Sequence, residues 1–404
     1  MNGYLIKAGE LVTVSPLGTI QNGGMVIDKG KIVAIDTWRQ LEKRFPALPI
    51  VDYSNATITP SLVDCHTHLL EFAPSSLYPV TPATHFLAAK AILLKALSSG
   101  ITAIGEQICG HPLCRFSVQD YREIVQGIPL DVSFATVSIS IGFSEPAHFS
   151  AITQSRPITI DELKDPFLIR KIARESEFPG ENIFINATPA NFTENEVPRA
   201  GEIIYELEDL KQAVSIYHQM GKKIGVHVAG EESIRMAIEA GVDVLHHAHG
   251  ITDVLIEKVA TTDVKVVATP LGGTHLKPNS PSDILKLVKK GIAVSIATDA
   301  YLPPHPEADW LPFTDGQLRG VESLLAIAQP TMRLLQQQGY DENQLLALIT
   351  ANPAEILGKD NHFGRLLPGM DANFIICDGI PGLEFSKADA IQQVYFRGKK
   401  VIAR

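Results

Sequence analysis

Strand-like and helix-like segments alternate through the middle of this chain, and no other feature limits its fold as strongly. Residues 210–220 have helical spacing, 223–228 read as a strand, 232–240 as a helix and 242–246 as a strand. The pattern continues with a helix over 254–260, a strand over 264–269, a helix over 284–290 and a strand over 292–297. The first half adds strands at 57–63, 101–105, 130–138 and 182–187. Strands separated by helices pair in parallel through crossover connections. Eight of them predict an α/β fold, a closed (β/α)8 TIM barrel with its active site at the C-terminal strand ends.

The two ends read differently, as short strands and tight turns. Residues 24–35 form an expected hairpin turning at Lys29 and Gly30, and residues 394–402 form another. Neither end buries a core alone. The economical arrangement is one small β-sandwich built from residues 1–58 and 364–404, with the barrel, residues 59–363, inserted between them.

Of the 404 residues, 45% are hydrophobic and 20% charged, which suits a soluble globular protein with a large core. The net charge of -10 and the lack of a Lys/Arg stripe predict no nucleic-acid and no anionic-membrane partner. No basic-then-apolar leader opens the sequence, and no run reaches the roughly 18 apolar residues of a spanning helix, so the cytoplasm is the expected location. Cys65, Cys109, Cys114 and Cys377 are too few for a disulfide framework, and Cys109 and Cys114 lack the second pair that a structural zinc site needs. A small-molecule substrate is the expected partner, and a homo-oligomer is compatible with the composition.

The chemistry concentrates where Asp64-Cys65-His66-Thr67-His68 closes an apolar run. Side chains two apart share one side of a strand, so His66 and His68 project together at its end, as chelating residues do. Imidazole suits zinc, iron, manganese or nickel, and a catalytic ion takes about three protein ligands. Such a site demands further ligands at other strand ends. His227, His247 and Asp299 stand there. Singly, His227 reads as a satisfied core histidine, His247 as one of a polar cluster with His246 and His249, and Asp299 as a helix cap. Together, four imidazoles and a carboxylate at one pole are better explained by an ion that partners them all.

These features resemble the amidohydrolase superfamily of metal-dependent hydrolases. The matching segments are residues 63–68, 100–103, His227, 241–247 and 297–299, with 350–354 and 364–373 similar to the family's return to its β-sandwich. The resemblance implies that His66, His68, His227 and Asp299 surround a divalent ion, zinc before iron, manganese or nickel, with His247 holding a second ion or orienting the attacking water. Binuclear members bridge two ions with a carbamylated lysine on the fourth strand. Residues 182–187 contain none, and no bridging carboxylate is evident on the third, so one ion is favoured over two. Many mononuclear deaminases carry Glu three residues after the fifth-strand His, where this chain has Gly230. Residues 227–230 look prolidase-like and 297–299 imidazolonepropionase-like.

The activity this implies is hydrolysis of a C–N bond in a small amide, cyclic amide or amidine. Asp299 would carry the proton, and His247 would position water or stabilise the oxyanion. Glu106, His111, His275 and Tyr301 follow candidate strands and are placed to face the substrate, with ordinary loop polarity as the competing reading. A heterocycle deaminase releasing ammonia is the alternative within enzymes. A non-catalytic scaffold is the alternative outside them, and the intact set of metal-binding residues argues against it.

Overall fold

A computed structural model describes residues 3–70, 82–108, 117–136, 164–186 and 201–404. The N-terminal region supplies β1 (Tyr4–Val12), β2 (Thr19–Gln21), β3 (Gly23–Asp28), β4 (Lys31–Thr37) and β5 (Ile50–Pro60). There follow β6 (Leu62–Thr67), β7 (Ile101–Ile108), β8 (Asp131–Thr136), β9 (Ile183–Phe184), β10 (Gly225–Ala229), β11 (Val244–His249), β12 (Lys265–Ala268) and β13 (Val294–Ile296). The C-terminal region adds β14 (Phe374–Cys377), β15 (Ile391–Phe396) and β16 (Lys399–Ala403).

Both ends enter one eight-stranded sheet, ordered β16-β15-β14-β5-β1-β3-β4 with β2 on β1. Its hairpins turn where the sequence supplies positive φ: Lys29 and Gly30 between β3 and β4, Arg397 and Gly398 between β15 and β16. Two consecutive left-handed residues match the right-handed twist of the flanking strands. Ile6, Met25, Ile58, Phe374 and Ile376 pack one core of this sheet, contributed from both ends of the chain.

The intervening strands form two parallel sheets, β6-β7-β8 and β13-β12-β11-β10-β9. Helices Leu207–Gln219, Glu231–Ala240, Asp253–Val259 and Pro281–Lys289 alternate with the second sheet's strands. The last begins where Ser280 and Asp283 form a reciprocal capping box and Pro281 presets the first turn. At one seam, backbone bonds run from Asp299 N to His66 O (3.0 Å) and from His68 N to Ala300 O (2.8 Å). At the other, Asn182 Nδ2 donates to Thr136 O at 3.2 Å.

Several strand boundaries differ from expectation, and two of the differences change the architecture. The run over 57–63 divides at Ser61 between the antiparallel sheet and β6, a break that continuous apolar character conceals because residues 56–67 are all buried. The segment over 182–187 shortens to Ile183–Phe184, with residue 187 outside the described residues. No helix among the described residues is long and apolar enough to cross a membrane.

Candidate metal centre

The ends of β6, β10, β11 and β13 bring five predicted residues to one point, and Glu181, two residues before β9, occupies its middle. Glu181 Oε1 lies 2.7 Å from His227 Nδ1 and 2.6 Å from His247 Nε2. Its Oε2 lies 3.3 Å from His66 Nε2 and 3.2 Å from His68 Nε2. Asp299 Oδ1 faces the same pair, 3.3 Å from His66 Nε2 and 3.4 Å from His68 Nε2. Three overlapping groups therefore have metal-ligand spacing: His66, His68 and Glu181; Glu181, His227 and His247; His66, His247 and Asp299.

Backbone conformation aims these side chains. His247, Ala248 and Asp299 have φ of 68°, 51° and 51°, in the left-handed region that non-glycine residues rarely occupy. The register between β10 and β11 shifts between Val228 and Ala229, beside that unusual turn, so β11 bulges where it delivers His247. Such strain persists where surrounding structure over-determines it. Gly273 closes the centre from the other side. A Cβ at this position, where φ is 111°, would collide with Asp299 Oδ2 and the His247 ring.

The electrostatics call for a cation. Burial disfavours charge on His66, yet the Glu181 and Asp299 carboxylates outweigh it and push its pKa up to about 10. Burial would raise the Glu181 carboxyl, but His66, His227 and His247 hold it well below the usual carboxylate range. His227, desolvated and beside His247, falls to about 4. His66 Nε2 is buried beside two carboxylate oxygens without a hydrogen bond in the described structure, as when donor atoms point at a common centre rather than at one another. A set of imidazole nitrogens and carboxylate oxygens fits a divalent transition metal. Cys65, adjacent in sequence, instead packs in an apolar cluster with Val63 and Leu357.

Further groups hold this set. His246 Nδ1 meets His66 Nδ1 at 2.8 Å, and Thr269 Oγ1 meets His247 Nδ1 at 2.7 Å. Asp64 accepts from Thr298 Oγ1 at 2.6 Å, tying β6 to the segment that carries Asp299. Burial pushes its pKa up to about 6.

The four expected substrate contacts separate. Glu106 turns into the protein and accepts from the Leu69 and Leu70 amides at 2.8 and 2.6 Å, fixing the turn after His68. His275 and Tyr301 are half-buried, His275 against Gly201 and Tyr301 against Gly320. His111 lies outside the described residues, as do Cys109 and Cys114.

Sequence reasoning missed Glu181, and the preference for one ion rested on the lack of a bridging group that it can supply. It precedes its strand, whereas site residues of a barrel are expected at strand C-termini. The usable signal was a lone carboxylate just before a short apolar strand.

A model of the amidohydrolase family matches residues 57–401. Imidazolonepropionase of Bdellovibrio bacteriovorus is 24% identical over 435 aligned residues, covering 99% of this chain and 94% of that protein. The Fusobacterium nucleatum imidazolonepropionase is 21% identical, covering 93% and 91%. Among solved structures, a Xaa-Pro dipeptidase with methionine bound in its active site superposes with a TM-score of 0.72 at 16% identity, over 98% of this chain and 99% of that one. Molinate hydrolase superposes with a TM-score of 0.72 at 17% identity, over 99% and 95%. The chain belongs to the amidohydrolase family and is a metal-dependent hydrolase of C–N bonds.

Proposed function

We propose that this enzyme hydrolyses an amide or cyclic amide of a small molecule with two divalent ions, zinc before iron, manganese or nickel. The observation that carries the reading is Glu181, whose two oxygens divide the histidines into the pairs His66/His68 and His227/His247. One ion would be held by His66, His68, Glu181 and Asp299, and the other by His227, His247 and Glu181. Ions bound there lower the pKa of water and polarise a carbonyl.

The chain's own residues do the rest. Asp299 takes the proton of the attacking water and returns it to the leaving nitrogen. The Tyr301 hydroxyl remains a donor at neutral pH, because burial and the Glu322 and Glu106 carboxylates push its pKa up to about 12. Such a donor suits a substrate carbonyl. Burial lowers the His275 pKa and favours the neutral ring, which suits substrate contact without added charge. Gly230 offers no carboxylate for a heterocycle nitrogen, which favours amide hydrolysis over deamination. Architecturally, the reading takes the two parallel sheets as one closed (β/α)8 barrel, supported by the backbone bonds between His66–His68 and Asp299–Ala300. Residues 1–58 and 364–404 then form the second domain.

Metal-reconstituted protein, assayed on N-acyl amino acids, dipeptides, cyclic ureides, imidazolones and aminated heterocycles, tests the reading. The expected result is carboxylate release from an amide or cyclic amide. Imidazolones belong in the panel because full-length relatives are named imidazolonepropionase. Ammonia release from heterocycles alone would make the enzyme a deaminase, and inactivity of fully loaded protein across the panel would favour a scaffold.

A further inference from the structure

Two of the central histidines are held from behind by hydrogen-bond chains that each end at a backbone carbonyl. A carbonyl only accepts, so the direction of each chain follows. Pro179 O lies 2.9 Å from His246 Nε2, which must therefore carry a proton. Neutral His246 then presents a lone pair on Nδ1, and the 2.8 Å contact with His66 Nδ1 requires the proton to come from His66. His66 is left with Nε2 for the centre. Both rings are fully buried.

The second chain is independent. Thr269 Oγ1 donates to Gly272 O at 2.8 Å, so its single proton is committed and its oxygen can only accept from its other neighbours. His247 Nδ1 at 2.7 Å and His249 Nε2 at 3.1 Å are both donors to it. His249 Nδ1 in turn accepts from Thr274 Oγ1 at 2.8 Å. His247 is thus also left with Nε2 for the centre, where a cation shared with Glu181 Oε1, 2.6 Å away, would take the place of a proton. Both chains reach the same outcome by different chemistry.

We propose that His246 and Thr269 are positioning residues that fix the tautomers of His66 and His247, so that each ring meets a divalent cation with Nε2 unprotonated and Nδ1 protonated. This rests on the reading that the histidines and carboxylates hold a cation. Partners behind ligating histidines fix ring orientation and raise ligand basicity, and their loss costs about 10- to 100-fold in metal affinity.

The test compares zinc affinity, by chelator competition, and the visible spectrum of the cobalt(II)-loaded protein across paired variants. His246→Asn keeps an oxygen acceptor near the Nδ1 position but loses the reach to Pro179. His246→Gln keeps a donor for Pro179 but removes the acceptor for His66. The expected order places Asn within a few-fold of wild type and Gln about 10- to 100-fold weaker with an altered cobalt spectrum. Gln matching wild type while Asn weakens would show that anchorage to Pro179, not the tautomer, matters, and would overturn the His246 assignment. Thr269→Ser should retain affinity and Thr269→Val should lose it by a similar factor. Equal affinity in Ser and Val overturns the Thr269 assignment, and this pair decides the proposal if the His246 variants fail to fold, as metal-free melting would reveal. Wild-type protein that binds neither zinc nor cobalt would remove the cation reading itself, and the proposal with it.

Discussion

At the residue scale, Asp299 and Glu181 are both carboxylates at the centre, but their surroundings separate their tasks. Asp299 sits at the edge, with 6% of its side chain exposed, while Glu181 is 1% exposed and enclosed by histidines. Asp299→Asn keeps an oxygen at the centre but cannot take a proton at neutral pH. Turnover should fall by roughly 10²- to 10⁴-fold while much of the metal stays, and near-normal turnover would remove the carboxylate from the chemistry. Glu181→Gln removes the charge between the histidine pairs. Elemental analysis should find about two equivalents of metal in the wild type and fewer than one and a half in the variant. A wild type that saturates at one equivalent would restore the mononuclear site that the lack of a bridging lysine or third-strand carboxylate favoured. His66, His68, His227, His247 and Asp299 were legible in the sequence because strand periodicity and position suffice to bring them to one pole. Glu181 and His246 were not, because their roles depend on neighbours 46 to 180 positions away, from His227 for Glu181 to His66 for His246.

At the element scale, the turn after β6 depends on Glu106. Burial, against the Leu70, Thr67 and Leu69 hydrogen bonds, pushes its pKa up to about 7 from 4.5. The geometry agrees. Thr67 Oγ1 lies 2.6 Å from Glu106 Oε2 and 3.2 Å from Gly105 O, and one hydroxyl proton cannot serve both acceptors, whereas a protonated Glu106 supplies the second. The sign of the pH effect follows from linkage. With the folded-state pKa above the unfolded value, the stabilisation is complete below pH 4.5 and is lost as pH rises to about 7, because the unfolded chain releases its proton first. Glu106→Gln, which retains a donor and an acceptor, should lack this contribution. In chelated protein, the wild-type melting temperature should therefore fall relative to the variant between about pH 4.5 and 7 and run parallel above it. Parallel behaviour throughout would show Glu106 to be ionised. As an element-end residue Glu106 looked like a substrate contact from sequence, since position alone does not reveal that two amides and a hydroxyl already engage it.

At the scale of the whole molecule, β5 is paired on one side by β1 and on the other by β14, so strands more than 300 residues apart share one apolar face. Deleting residues 364–404 strips β14, β15 and β16 from the sheet and bares the β5 edge. Such edges template aggregation, so the truncated chain should lose soluble yield and cooperative melting. A deletion that melts as the full chain does would show that the ends fold separately. The sequence by itself determined the alternation of elements, the hairpin turns at Gly30 and Gly398, and the pole at which the histidines gather. These follow from short-range rules: side-chain periodicity, the φ freedom of glycine and the crossover geometry of parallel strands. Only the tertiary structure decided which carboxylate lies between the histidines, which apolar run is divided between two sheets and which nitrogen of each ring faces inward. Those depend on hydrogen-bond partners far apart in the chain, whose distances no local pattern encodes.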